Sequence, residues 1–395
     1  MKTEKKVLLV TTVSGFVPQF EMSNVGILQS MGFEVHYAAN YHTPSYGTDN
    51  QRLEGTGIIR HQIDFVRSPF SFHNVKVYHQ LKKVMSEERF DLVHCHTPMG
   101  GVIARLAAFS TKTSPVIYTA HGFHFFKGAS PINWLCYYPM EKILSHLTSE
   151  QICINLEDYE LAKKKLHAKH VSYIPGVGLD TNKIIPLNDI NKKKINLGLP
   201  VNRLILLSSG ELIKRKNHET VIRAIGKLRA EHSNLKKSED IKFHYIICGH
   251  GKLETYLKRL AKELKVDDCI SFLGYRKDMM EIYQIADLFI FPSFQEGLPM
   301  ALLEAMGHGL PVICSDIRGS RDLMGTNAKS SIYYCDGGIM VTKADDVSAY
   351  SQAIQLLLDD STKRQEMGER NRLRATDFSI QAVREAMEKI YYRLV

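Results

Sequence analysis

Short apolar runs rich in β-branched residues alternate with amphipathic stretches along the whole chain. The runs at 6–13 (KVLLVTTV), 35–39, 91–97, 115–122, 151–156 and 171–176 are apolar on both faces of an extended segment. A polar stretch follows at 178–200, and a second series resumes at 204–210, 243–249, 269–274, 288–293 and 311–316. Helical patterns such as HETVIRAIGKLRAEH, GKLETYLKRLAKELK and KDMMEIYQIAD separate these runs. A strand with no polar face must be covered on both sides, as happens in parallel sheets flanked by helices. Two such series predict an α/β protein of two doubly wound domains, residues 1–178 and 200–377, with 178–200 as the linker. The last segment places Ile380, Val383, Ala386, Met387 and Ile390 at spacings of three and four. That stripe predicts an amphipathic helix over 378–395 that has to bury one face.

Polar, glycine-rich residues follow several predicted strands: TVSGF, HCHTP, TAHGFHF, SSGELIKRKN, CGHG and PSFQEGLP. In open parallel sheets ligands bind beyond the carboxyl ends of the strands, so these segments are expected to line a cleft between the domains.

Composition removes several alternatives. The chain has 395 residues and a net charge of +9, with the positive excess spread over both halves. This mildly favours anionic small molecules or an anionic membrane surface, and no basic, aromatic-interleaved helix speaks for nucleic acid. The basic run LAKKKLHAKH reads as one solvated helix face. Seven cysteines, none in a CxxC pair and most in strand-like runs, read as core residues of a reducing compartment. The start, MKTEKKVLLVTTVSGF, imitates a signal peptide, but Thr11 and Thr12 interrupt its apolar run, which therefore reads as a first core strand. No run of eighteen apolar residues could span a bilayer. A dinucleotide-binding GxGxxG does not follow the first strand, and P-loop, HExxH and DxD motifs are missing. His94 and His96 have HxH spacing but no third ligand in register, so no metal site is expected there.

FQEGLPMALLEAMGHGLP, residues 294–311, holds two glutamates eight positions apart. Glu296 sits in a Gly/Pro loop. Glu304 lies inside an apolar helix beside Leu302, Leu303, Ala305 and Met306, and glutamate is rarely buried without a partner. Around these residues the chain resembles the retaining glycosyltransferases of the GT-B fold, specifically glycosyltransferase family 4. SSGELIKRKNHE, CGHGKLE, FLGYRKDM and ADLFIFPS extend the resemblance, in order, over nearly the whole chain. DLVHCHTPMGGVIARLAA and YTAHGFHFFKG are similar to the bacterial enzymes of capsular polysaccharide and exopolysaccharide synthesis.

The resemblance implies two Rossmann-like domains facing across a cleft, the terminal helix crossing back to pack on the first. It gives Glu296 the hydroxyls of the transferred sugar and Glu304 the two ribose hydroxyls, which a carboxylate accepts with its two oxygens. The diphosphate then lies at the helix start, where N–H groups of Gly297, Leu298 and Met300 point, with Pro299 in the first turn. Lys216 corresponds to the diphosphate lysine, with Arg215 or Lys214 beside it. Glu211 departs from the pattern, since many relatives carry arginine there. Gly15 corresponds to a glycine whose bare backbone approaches the donor phosphate. His121 corresponds to a histidine near the sugar and β-phosphate, with His124 the weaker candidate. Tyr275 and Arg276 would lie near the base, mostly by backbone contact.

The implied function is metal-independent transfer, with retention, of a hexosyl or N-acetylhexosaminyl unit. The donor would be a nucleotide sugar, UDP-linked, with no further cofactor. The acceptor would be a polyprenyl-diphosphate-linked saccharide at the inner face of the plasma membrane, where the cytoplasmic chain makes peripheral contact with anionic lipid. Two rivals stand beside it: a nucleotide-sugar 2-epimerase on the same fold, and a catalytically silent nucleotide-sugar-binding scaffold.

Overall fold

The computed structural model describes residues 5–45, 50–231, 242–325 and 330–395. The first four residues of the signal-like start and His232 of the predicted helix 218–232 lie outside them. The chain divides into two compact units, Met1–Gly178 with Ile380–Val395, and Leu179–Ser379.

The first unit is built on seven strands: β1 (Lys5–Val13), β2 (Phe33–Asn40), β3 (Ile59–Gln62), β4 (Leu92–His96), β5 (Val116–Ala120), β6 (Glu150–Cys153) and β7 (His170–Tyr173). They lie in the order β3-β2-β1-β4-β5-β6-β7, every neighbouring pair parallel. Val7, Leu8, Leu9 and Val10 of β1 are fully buried, as both faces of a central strand covered by helices must be. Strand order reverses between β1 and β4, which leaves the space beyond their carboxyl ends open to a ligand.

The helix Ile380–Leu394 closes the first unit, packing against the helix Met22–Ser30 with Val383, Met387, Ile390 and Tyr391 buried. Tyr391 Oη lies 2.8 Å from His94 Nδ1, and His94 Nε2 lies 2.8 Å from Thr119 Oγ1. Burial pushes the His94 pKa down to about 3, so the ring is neutral, one nitrogen donating and the other accepting. Arg393 adds an ion pair to the fully buried Glu150. Tyr391→Phe keeps the packing and strips His94 of one partner. It is expected to cost the first unit about 1–3 kcal/mol, read as a lowered denaturant midpoint with unchanged circular dichroism.

The second unit repeats the plan with β8 (Leu204–Ser209), β9 (Phe243–Cys248), β10 (Ile270–Gly274), β11 (Leu288–Phe291), β12 (Val312–Ser315), β13 (Ile332–Cys335) and β14 (Gly338–Val341). The order is β10-β9-β8-β11-β12-β14-β13, and the reversal falls between β8 and β11. One pair departs from the expected parallel pattern: β13 and β14 run antiparallel, Cys335 facing Gly338 across Asp336 and Gly337. Asp-Gly is a strong two-residue hairpin signal, so this reversal was written in the residues.

Of the polar segment 178–200, expected as a linker, all but Gly178 falls in the second unit. Asp189 caps the helix Ile190–Asn196 by accepting from Lys192 N. Lys193 Nζ donates to Asp278 Oδ2 at 2.6 Å and pairs with Glu281, and Gln284 Oε1 accepts from Leu187 N at 2.7 Å. Its polarity serves ion pairing against the helix Met279–Ile285 and is not the mark of a free tether.

Candidate functional site

In the second unit the candidate residues gather beyond the carboxyl ends of β8 and β11. Gly210 follows β8 with a φ of 152° that suits glycine, and the Gly249 backbone comes so close that a Cβ there would sit 1.9 Å from Gly210 O. The chain then turns through Lys214–Lys216 in a 3₁₀ turn. Asn217 pins that turn, donating from Nδ2 to Pro292 O at 3.0 Å and to Ala344 O at 2.6 Å, while Phe294 N donates to Arg215 O. The KRKN turn and the loop after β11 are thereby one rigid piece.

On that piece Glu296 accepts from Arg215 Nη1 at 2.7 Å and from Lys216 Nζ at 2.8 Å. The Glu296 and Lys216 side chains are only 13% and 15% exposed, so this ion pair is partly shielded from solvent. Buried Arg318 donates from Nε to Glu296 O at 3.1 Å. Two cationic side chains hold the Glu296 carboxylate and a third holds its backbone carbonyl, an excess of positive charge suited to an anionic ligand. Glu211 is exposed, with no ion pair among the described residues.

The helix after the loop is Met300–Gly307, with Pro299 at its N-cap. This corrects the expected placement of Pro299 inside the first turn: its carbonyl accepts from Leu302 N and Leu303 N, the role of a capping residue. The N–H groups of Gly297, Leu298 and Met300 meet no acceptor among the described residues. Glu304 lies on this helix with Oε2 accepting from Tyr283 Oη at 2.9 Å. Burial raises its pKa, and the Tyr283 hydrogen bond acts in the opposite sense. Tyr283 Oη is also 3.3 Å from Ser209 Oγ at the end of β8, so Glu304 and the KRKN turn adjoin the same strand end. Tyr275 is 65% exposed. The Arg276 guanidinium is taken up by Asp278, Nε to Oδ1 at 2.8 Å and Nη2 to Oδ2 at 2.6 Å, which leaves the backbone there for any contact with a base.

In the first unit Gly15 takes a different place from the one the resemblance implies. Its N–H donates to Pro44 O at 2.7 Å, and a Cβ would lie 1.9 Å from Ser45 O. It is glycine because the chain's own 44–45 backbone crosses it, and its N–H is not available to a phosphate.

His121 follows β5, and its ring is 22% exposed and meets Phe16 edge-on at 4.9 Å. Burial depresses its pKa to about 4, so at neutral pH it donates as a neutral imidazole. His124 stacks on Tyr137 at 4.6 Å instead. His96 Nδ1 lies 3.2 Å from His121 Nε2, and Glu21 Oε1 lies 3.5 Å and 3.8 Å from those two atoms. Burial raises the Glu21 pKa to about 8, partly countered by the Asn24 hydrogen bond. Thr97, next to His96, has φ 63°, a left-handed conformation rare for threonine. The sequence reading reaches His96 and His121 separately but not Glu21, Asn217 or Arg318. At Glu21 the signal was the one that marks Glu304, a single carboxylate between apolar residues in FVPQFEMSNVGIL.

Two sheets of this order, each with its polar residues beyond the strand carboxyl ends, define a GT-B protein. Residues 189–374 match the family described as glycosyl transferases group 1, and residues 6–155 match glycosyl transferase 4-like domains. The chain is 34% identical over 392 residues to a Bacillus subtilis (strain 168) protein named "Putative glycosyltransferase EpsD", covering 98% of this chain and 96% of that one. It is 30% identical over 284 residues, 71% of this chain and 69% of the other, to the UDP-Gal:alpha-D-GlcNAc-diphosphoundecaprenol alpha-1,3-galactosyltransferase of Escherichia coli. The structure of Anabaena Alr3699/HepE in complex with UDP and glucose superposes with a TM-score of 0.75 at 18% identity, covering 99% of this chain and 100% of that one. The chain belongs to the glycosyl transferase group 1 family.

Proposed function

We propose that this glycosyltransferase moves a hexosyl or N-acetylhexosaminyl unit, with retention, from a UDP-sugar to a polyprenyl-diphosphate-linked saccharide in cell-surface polysaccharide synthesis. The observation that carries the reading is the constellation beyond β8 and β11: Glu296 held between Arg215 and Lys216, next to a helix start with uncommitted N–H groups, and half-buried Glu304 on the same helix. Glu304 receives the ribose hydroxyls, Lys216 and the helix start receive the diphosphate, and Glu296 receives the hydroxyls of the transferred sugar. No enzyme nucleophile is needed. The leaving diphosphate takes the acceptor proton on the face it departs from, while Lys216 and the N–H groups stabilise its developing charge. The name of the Escherichia coli relative, which couples a UDP-sugar to a diphosphoundecaprenol acceptor, supports both substrates. The UDP bound in the Anabaena structure supports the donor alone.

The first unit takes the acceptor, from the cytoplasmic side of the plasma membrane. Phe70, Phe72 and Val75 beside one helix, Leu106 and Phe109 on the next, and Ile132, Leu135 and Ile143 on a third are all exposed. Together with the net charge of +9 they suit peripheral attachment to anionic lipid. No described helix is long and apolar enough to cross a membrane.

Incubation with a panel of nucleotide sugars and a polyprenyl-diphosphate acceptor, followed by mass spectrometry, tests the reading. Because cationic side chains and a helix start handle the phosphate charge, transfer is expected to persist in excess EDTA. A complete loss restored by Mg²⁺ would overturn the phosphate assignment. Donor isomerised without any acceptor would indicate the epimerase instead.

A further inference from the structure

We propose that Glu21, His96 and His121 form a zinc site in the first unit, closed by Glu21 Oε1, His96 Nδ1 and His121 Nε2, with a fourth position left to water. Three observations converge on it. The donor atoms are separated by 3.2, 3.5 and 3.8 Å. Three ligands of a tetrahedral ion bound at about 2.0–2.1 Å stand roughly 3.3 Å from one another, so the triangle needs shifts of only a few tenths of an ångström. The donor set, two imidazoles and one carboxylate, is the nitrogen and oxygen combination of open zinc sites.

The second observation is the support around the triangle. Asn24 Nδ2 donates to Glu21 Oε2 at 2.5 Å, which holds the carboxylate with its other oxygen toward the histidines. Such outer contacts orient metal ligands. His96 is fully buried, and its Nε2 has no hydrogen-bond partner. The ring lies against the His94 ring with centroids 4.2 Å apart, and among the described residues its Nδ1 meets His121 Nε2 and Glu21 Oε1. Third, a small cavity of about 10 Å³ lined by Glu21, Asn24, Thr119 and His121 adjoins the triangle. A space on that scale holds about one water.

A second group, His36, His61 and Glu88, has similar donors. There His36 Nε2 is bound to Glu34 Oε1 at 2.7 Å, and Glu88 is neutralised by Lys6 Nζ at 2.7 Å. Its carboxylate already has a cation, and Glu21 has none among the described residues.

Zinc at the site takes His121 Nε2 from its 3.2 Å contact with His96 Nδ1 and fixes the ring away from any substrate, so the ion acts as a brake and not as a cofactor. This step alone rests on the role given to His121 above. The site itself is tested without reference to activity, by titrating Co²⁺ into chelator-treated protein and recording the visible absorption of the ion. The expected result is one equivalent with the intense bands of four-coordinate Co²⁺, displaced by Zn²⁺. Glu21→Gln and His121→Asn should each weaken binding at least tenfold, and His61→Ala should leave it unchanged. Unfolding midpoints of all variants are recorded alongside, and Glu21→Gln preserves shape if His121→Asn does not fold. Weak six-coordinate bands, no binding, an unchanged affinity in folded Glu21→Gln, or loss of binding in His61→Ala would each overturn the proposal.

Discussion

Glu296→Ala is expected to lower transfer by a factor on the order of 100 or more while leaving UDP affinity intact or slightly improved. Glu304→Ala is expected to weaken UDP itself by roughly 10- to 100-fold, the equivalent of about 1.5–3 kcal/mol for hydrogen bonds to a charged acceptor. The two carboxylates stand eight residues apart, but their surroundings differ. Glu296 lies between Arg215 Nη1 and Lys216 Nζ at 2.7 and 2.8 Å. Removing it frees two cations for a diphosphate and takes away only the group assigned to the sugar hydroxyls. A loss confined to kcat is the signature of a contact made at the reacting end. Glu304 is half-buried, and its carboxylate meets Tyr283. The ribose contact assigned to it is shared by the donor and by free UDP, so both should suffer together. The fold should tolerate the change, because Tyr283 Oη keeps Ala301 O and Ser209 Oγ within 3.3 Å. Calorimetry with UDP and steady-state rates on both variants decide the matter. Equal losses of UDP affinity in the two would remove the separate roles.

Most of the parallel strands were legible because they are apolar on both faces, although β14, equally apolar and parallel to β12, was missed. β3 was not legible, since Ile59–Gln62 is a largely exposed edge with one apolar residue, and nothing in IRHQ distinguishes a strand from a loop. The β13–β14 hairpin was legible in principle from Asp336 and Gly337, but no strand was assigned beyond 311–316. Glu304 stood out because a carboxylate among leucines needs a reason. Its partner Tyr283 did not, because an aromatic residue in a helix has an ordinary reading as core. Asn217 and Arg318 are of types common on any surface, and only the folded backbone shows that one locks the KRKN turn and the other reaches the Glu296 carbonyl. Gly15 shows the reverse error. A glycine after the first strand suggests room for a ligand, whereas here the room is filled by residues 44 and 45.

His121→Ala is expected to lower turnover on the order of 100-fold with little change in UDP affinity, and His124→Ala to lower it only a few-fold. The resemblance assigns His121 to the sugar and β-phosphate, and the structure defines in what form it would act. With its pKa near 4 the ring carries one N–H at neutral pH, a hydrogen-bond donor without charge. A donor aimed at charge that develops in the transition state affects kcat more than ground-state binding, and oxyanion-type donors lose about 100- to 1,000-fold when deleted. His124 has no such opening, since its ring is stacked on Tyr137 and its loss disturbs packing in the FHFFKG segment. Deleting His121 also removes the partner of His96 Nδ1, so some loss of stability is expected in its own right. Steady-state rates must therefore be set against unfolding midpoints for both variants. His121→Asn, which retains an N–H donor, separates the two effects: partial recovery of kcat at an unchanged midpoint supports the contact. Wild-type turnover in His121→Ala, or a loss that tracks the midpoint in all three variants, would make His121 a structural residue of the Glu21–His96 cluster.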